Sequence, residues 1–338
     1  MNFLSVFILT VVISVAATLL VKRLAVKFSV VDTPNLPRKI HEKAVPLLGG
    51  AAIFVSFFLA LLFSLSSVLS RGLTGMQLAA FFCGALVLLV GGVLDDVFNL
   101  TPGRHFVFSV LAALVAIAGG ITIVKITNPV GGLLYFGSFV SAALTFVWLL
   151  GMTYTTKLLD GVDGLVSGLG VISGIIIFLF TMTTHYYQPD VGLLAMLFAA
   201  ACLGFLFFNF YPAKIFLGDG GSLLVGYVIA VLAIISGAKI AVALLIMGIP
   251  ILDVAWTIVR RLWSGQNPFR AADRKHLHHR FLAMGLSQPQ TVFIYYAFAI
   301  FFGILALFLQ SQGKIIAIGV LAIIMVCIIF LDTFKMIR

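Results

Sequence analysis

Asp219 stands in Phe216-Leu217-Gly218-Asp219-Gly220-Gly221-Ser222, a carboxylate among three glycines between two long apolar runs. Charged residues make up only 9% of the chain, so an acid in that setting needs a reason. Three further stretches share the pattern: Asp95-Asp96, Asp160 with Asp163 in Asp-Gly-Val-Asp-Gly, and the loop Asp273-Arg274-Lys275-His276-Leu277-His278-His279. Adjacent carboxylates repel unless a cation or a shared proton relieves them. A site that holds Mg²⁺, or takes a proton from a phosphate, can use such a pair. A lone charge at a helix end would only be solvated, and a single Asp-Gly would be an ordinary turn. The paired forms ask for more. Backbone N–H groups at a helix start bind anions, and a nearby Asp can hold Mg²⁺ against the same phosphates. Asn209, Lys214 and Phe216 precede Asp219 and supply an amide, a cation and a ring; no Gly-Lys-Ser/Thr ending makes this a P-loop. The histidines have no cysteine near them, and His278 and His279 are adjacent, which suits zinc poorly. With Arg270, Arg274, Lys275 and Arg280 around them they read as a phosphate clamp.

The elements that must carry these groups are apolar. The chain is 62% hydrophobic over 338 residues with mean hydropathy +1.21, which excludes a soluble globular domain. A run of roughly 20 apolar residues spans a bilayer as a helix. About eleven such runs occur, near 3–21, 48–69, 76–94, 106–124, 138–156, 165–184, 191–209, 221–236, 239–259, 291–310 and 315–332. The expected fold is an all-α polytopic bundle, one membrane domain over residues 1–338. The first run lacks a basic segment before it and does not read as a signal peptide. With the N-terminus outside, 17 of the 21 Lys and Arg fall on the cytoplasmic side and only Arg71, Lys125, Lys239 and Lys314 on the other. The net charge of +10 is thus a topology signal and calls for no nucleic acid. The C-terminus is then cytoplasmic, and the inner loops hold nearly all the Asp and His. Outside, 125–137 reads as a small hairpin or re-entrant turn. Cys83, Cys202 and Cys327 lie in apolar runs without metal spacing and read as packing residues. Asp253, the one charge in the middle of its span, is read as facing the bundle interior, toward Arg260 or the site.

In this order, the Arg38-Lys39-x-His41…Pro46…Gly49-Gly50 loop, Asp95-Asp96, Asp-Gly-x-Asp-Gly, Phe-x-Gly-Asp-x-Gly-Ser and Ala-Asp-Arg-x-His-Leu-His-His resemble the polyprenyl-phosphate N-acetylhexosamine-1-phosphate transferases. The histidine loop is similar to the WecA and TagO branch; MraY is a more distant relative, its loop usually carrying Pro before the histidines. The resemblance runs from about Asp32 to Gly285. It implies an enzyme that moves GlcNAc-1-phosphate from UDP-GlcNAc to undecaprenyl phosphate, giving undecaprenyl-pyrophosphoryl-GlcNAc and UMP, with Mg²⁺ or Mn²⁺. Such an enzyme sits in the bacterial cytoplasmic membrane with its site on the cytoplasmic face and initiates envelope polysaccharide or teichoic-acid synthesis. Carried over by residue, Asp95, Asp96, Asp160 and His279 are the catalytic candidates, with Asp95 or Asp96 deprotonating or orienting the lipid phosphate. Asp219 is the metal ligand. Lys39, Asn99, Asp163, Asn209, Phe216, Arg274, His276 and His278 are substrate-binding candidates, Phe216 and Asp163 near the uridine.

Two positions depart from that family's pattern. Lys157 stands where Asn is usual, three residues before Asp160, and His105 stands where Lys is common. If Lys157 takes the place of a metal-facing Asn, its ammonium is expected near Asp160 or Asp219; the alternative is that it contacts the pyrophosphate. Two other classes compete: an MraY-like phospho-MurNAc-pentapeptide transferase, and a transporter of an anionic solute. Transporters place charges at the midplane of broken helices; here they gather at one face. The Asp-Gly-x-x-Ala-Arg signature of the CDP-alcohol phosphotransferases is absent. The sequence leaves a homodimer open.

Overall fold

The computed structural model describes residues 3–34, 44–69, 72–128, 131–183, 187–237, 239–265 and 276–335, with side chains as far as Cys327. Lys39 and Arg274 lie outside the described residues, as do Arg38, His41 and Asp273. The described chain folds as thirteen helices and two short hairpins. Among the described residues seven helices are long and apolar enough to cross a membrane. They are α1 (Phe3–Lys27), α2 (Gly49–Leu69), α3 (Gly75–Phe98), α5 (Ser138–Leu159), α7 (Pro189–Asn209), α8 (Gly218–Ile235) and α12 (Gln288–Phe308). Two apolar helices, α4 (Pro102–Ala118) and α6 (Leu165–Thr181), are shorter; α13 (Ser311–Lys335) is 25 residues long and apolar over Ser311–Cys327.

The run near 239–259 is not one straight span. It breaks at Met247 into α9 (Ile240–Ile246) and α10 (Gly248–Trp263), bent by 82°. The cause is local: Gly248 is permissive, and Pro250 has no N–H to give the carbonyl four residues back. The pair counts as an eighth span only if its halves are taken together. The hairpin expected at 125–137 is present as β3 (Lys125–Thr127) paired antiparallel with β4 (Leu133–Tyr135). A second pairing, β1 (Val31–Asp32) with β2 (Val45–Pro46), has no clear signal in the sequence.

Helix α8 is the centre of the bundle. Of its apolar stretch 89% is buried, against 78% for α7 and 22% for the peripheral α1. Asp219 therefore opens the most enclosed helix. Glycines set how closely its neighbours approach. A Cβ on Gly50 would overlap the backbone of Gly221, and one on Gly92 that of Gly220. Small residues are what let membrane helices touch backbone to backbone. Buried hydroxyls such as Thr153 and Ser56 bond back to carbonyls four residues earlier, so they cost little in an apolar core. Of the cysteines only Cys202 is buried, against Gly170; Cys83 and Cys327 face outward, so the packing role holds for one of the three. Large exposed Phe and Leu side chains on α1, α2 and α12, such as Phe63 and Phe301, cover the flanks with apolar surface, as lipid contact requires.

Candidate active site

The acids meet where α3 ends, α4 and α8 begin and α5 ends. Helix α3 stops at Asn99, which caps it in the left-handed region at φ 50° and donates its N–H to the Asp95 carbonyl. That stop leaves Asp95 and Asp96 in the last turn, facing α8. Asp96 Oδ1 accepts the Asp219 N–H at 3.2 Å, and its other oxygen lies against Gly218. Gly218 has φ +73°, a conformation that favours glycine, and a Cβ there would meet Asp96 Oδ2. The glycine thus lets the α3 carboxylate reach the first turn of α8.

Lys157, in the last turn of α5, joins the cluster. Its Nζ lies 2.6 Å from Asp219 Oδ2, 3.8 Å from Asp95 Oδ2 and 3.1 Å from His105 Nδ1. His105 is buried in α4, and its Nε2 is 3.9 Å from Asp95 Oδ2. Of the two places expected for the ammonium, Asp219 is the one it takes. Asp160 follows the end of α5 as its C-cap, beyond the helical geometry that aims Lys157 at α8. Asp95, His105 and Asp219 offer ligand atoms within 4.8 Å of one another. The two carboxylates suit a hard divalent cation such as Mg²⁺ or Mn²⁺, and the imidazole stands beside them as a softer donor. The Nε2 of His105 is buried without a hydrogen-bond partner, as a waiting ligand would be. The donors fit a metal, provided the ammonium among them can move.

Asp160 to Gly164 form a turn, not a helix, so spacing of three does not align the two acids as a helix would. Asp163 instead ties the turn to the segment before α8: its Oδ2 accepts the Ala213 N–H at 3.0 Å, and its own N–H donates to Gln288 Oε1 at 3.4 Å. Asp160 has solvent-exposed surface but stands in a recess crowded by protein. Loss of bulk water, then the charges of Asp219, Asp96 and Asp163, push its carboxyl up to about 8. The three carboxylates act in the same direction as the burial.

Asn209, at the end of α7, is buried with both ends of its amide bonded to protein. It accepts from Ser167 Oγ at 2.6 Å and donates to the Ile215 carbonyl at 3.1 Å. Phe216 is half-buried, and its backbone pairs with Pro46 and Gly49. Both therefore brace the segment that delivers Asp219. Among the described residues no hydrogen bond joins the exposed Asn99 side chain to the acidic cluster.

The histidine end is α11 (Leu277–Ala283), and Asp253 of α10 holds it. Asp253 Oδ2 lies 2.9 Å from His276 Nδ1, and Oδ1 accepts the Leu277 N–H at 3.0 Å. This positioning role was visible only as a lone charge in an apolar span. His276 stacks parallel to His278, and His278 is 4.2 Å from the His279 ring. His278 is buried with neither ring nitrogen hydrogen-bonded. Burial, then the charges of His279 and His276, hold it well below the usual histidine range. A Cβ on Gly161 would press on His278 Nε2, so the acidic turn and the histidine helix interlock through that glycine. All four acid and histidine stretches thus converge at one end of the bundle.

Such a site, in a helical membrane bundle, defines a class: an integral membrane protein with acid, ammonium and imidazole groups gathered for phosphate and metal chemistry. The profile of glycosyl transferase family 4 matches residues 78–237. The chain is 34% identical over 333 residues to a probable undecaprenyl-phosphate N-acetylglucosaminyl 1-phosphate transferase of Bacillus subtilis, covering 96% of this chain and 89% of that one. It is 33% identical to a decaprenyl-phosphate N-acetylglucosaminephosphotransferase of Mycolicibacterium smegmatis, over 84% of this chain and 76% of the relative. A phospho-N-acetylmuramoyl-pentapeptide-transferase of Halalkalibacterium halodurans is 28% identical over 90% of this chain and 95% of its own. The chain belongs to glycosyl transferase family 4, among the polyprenyl-phosphate N-acetylhexosamine-1-phosphate transferases.

Proposed function

We propose that the protein transfers GlcNAc-1-phosphate from UDP-GlcNAc to undecaprenyl phosphate. A lipid phosphate oxygen attacks the β-phosphorus, the bond from that phosphorus to the α-phosphate oxygen breaks, and UMP leaves with the electron pair. The observation that carries this reading is the meeting of Asp95, Asp96 and Asp219 with Lys157 at the start of α8. Phosphoryl transfer needs positioning and charge neutralisation more than covalent help. Asp219, with Asp95 and His105 beside it, would hold the divalent ion, Mg²⁺ or Mn²⁺, which neutralises the diphosphate when bound. Asp95 or Asp96 orients the lipid phosphate and takes its proton if it arrives protonated. By the resemblance, the His276–His279 segment would hold the sugar-phosphate end of the donor, together with Arg274, which lies outside the described residues; Phe216 and Asp163 would lie near the uridine. Residues 1–338 act as one membrane domain, in the cytoplasmic membrane with the acidic end inside. The higher identity to N-acetylglucosamine-using relatives favours that donor over the muramoyl pentapeptide.

A donor panel tests this reading. Purified protein with undecaprenyl phosphate should release UMP from UDP-GlcNAc, and at least tenfold more slowly from UDP-MurNAc-pentapeptide, a margin of about 1.4 kcal/mol in the barrier. The reverse order would reassign the donor. UMP from neither would overturn this reading of the substrates.

A further inference from the structure

Lys157 stands where a metal would stand. Its ammonium is 2.6 Å from the carboxylate assigned to the ion, 3.1 Å from one nitrogen of His105 and 3.8 Å from Asp95. The three candidate ligand atoms of Asp95, His105 and Asp219 span no more than 4.8 Å. An ion bound to oxygens at about 2.0–2.2 Å would fill the space between them. Two cations do not share such a space. His105 presents Nδ1 to the ammonium, and its buried, unpartnered Nε2 lies 3.9 Å from Asp95 Oδ2 at the edge of the same cluster.

We propose that Lys157 is a tethered counter-ion for this position, and that a divalent metal binds only by displacing its ammonium from Asp219. The proposal rests on Asp219 as the metal-holding residue. Without metal, the lysine keeps the carboxylates of Asp95 and Asp219 from repelling one another and so keeps the end of α3 seated on α8. With metal, the flexible four-carbon stem swings aside. Metal affinity is therefore lower than the three donors alone would give, and the cost is the broken Lys157–Asp219 pair. The site trades tight metal binding for a formed, neutralised pocket between turnovers.

Mn²⁺ binding to the purified full chain, read by electron paramagnetic resonance of the free ion, tests this without reference to activity. Lys157→Met and Lys157→Asn should each bind Mn²⁺ about tenfold more tightly than the wild type, the scale of one neighbouring charge in a partly buried site. Lys157→Arg, which keeps the charge, should not tighten it. In the wild type, saturating Mn²⁺ should raise the labelling of Lys157 by an amine-reactive ester, read by mass spectrometry. That arm stands even if the uncharged variants fail to fold. Asp219→Ala separates the two levels of the argument. If it abolishes Mn²⁺ binding while wild type and the uncharged variants bind alike, or while Mn²⁺ leaves Lys157 labelling unchanged, the counter-ion proposal is overturned and the metal assignment survives. If Asp219→Ala binds Mn²⁺ like the wild type, the metal assignment itself is overturned.

Discussion

At the level of single residues, the site gathers carboxylates that cannot all be ionised without a cation. Asp219 has Lys157 at 2.6 Å and the Asp96 carboxylate on its backbone N–H. Asp219→Ala should leave a folded protein, since the lysine keeps Asp95 as a partner, but remove the group that holds the ion. Turnover should fall by at least a hundredfold, the size expected when a charge-stabilising group is lost. A folded Asp219→Ala protein with near-normal rate would place the metal elsewhere. Asp160 gives a prediction in pH. Its carboxyl keeps a proton to about 8 in the folded protein, whereas in the unfolded chain it loses it near 4. Between those values the unfolded state binds fewer protons, so stability falls as pH rises through that window and levels off above it. Asp160→Asn removes this slope. Thermal unfolding in detergent should show the variant gaining on the wild type from pH 5 to pH 8 and no further gain above; parallel curves would show that Asp160 ionises normally.

At the scale of elements, the site depends on two close approaches and one clamp. Gly92 and Gly50 bring α3 and α2 onto the first turn of α8. Gly92→Ala must push α3 outward against the Gly220 backbone, which overpacking places at about 1–3 kcal/mol. The carboxylates then shift relative to Asp219, and a misplacement of about 1 Å can lower rate on the order of a hundredfold. Gly103→Ala, with nothing within 4 Å of the added methyl, is the control that should change neither. The clamp is Asp253. Asp253→Ala frees the start of α11 and His276 together and should cost about 3 kcal/mol as a broken buried pair, read as a lower melting temperature. Asp253→Asn keeps its shape and one of the two bonds and should lose less. Most of these helices were legible in the sequence, because a membrane span is a composition signal and the acids punctuate it. The bend between α9 and α10 was not, since apolarity continues across Met247 while the backbone does not. Nor was the relation of Asp160 to Asp163: spacing of three aligns two side chains only on a helix, and here glycines on either side give a turn. Lys157 and His105 were visible as oddities, but that they touch is a fact of how α4 packs on α5. Asp253 showed only as a charge out of place; its partner lies 23 residues on, beyond a loop whose path no pattern gives.

At the scale of the whole molecule, chemistry and charge divide between two ends. Helix α6 begins at the acidic turn and carries Phe180 in its last turn, where Lys239 and Lys314 both lie over the ring, at 5.6 and 4.6 Å. Those lysines, with Lys125 of the β3–β4 hairpin, are cations expected outside. Burial, then Lys314 and Lys125, lowers the Lys239 ammonium to about 8. Single cysteines at Thr101 and Ser264, in a background with Cys83, Cys202 and Cys327 replaced by serine, should react with an impermeant maleimide only after the membrane is opened. One at Thr127 should react in intact cells; the opposite pattern would invert the topology and put the donor site outside. The central claim is that a sugar phosphate, and not a sugar, moves to the lipid. The most direct measurement uses UDP-GlcNAc labelled with ³²P in its β-phosphate, given to the purified protein with undecaprenyl phosphate and Mg²⁺. The β label should pass into the lipid extract in step with release of unlabelled UMP, and should do neither without the lipid phosphate. Label remaining in the aqueous phase as UDP while GlcNAc enters the lipid would contradict the account.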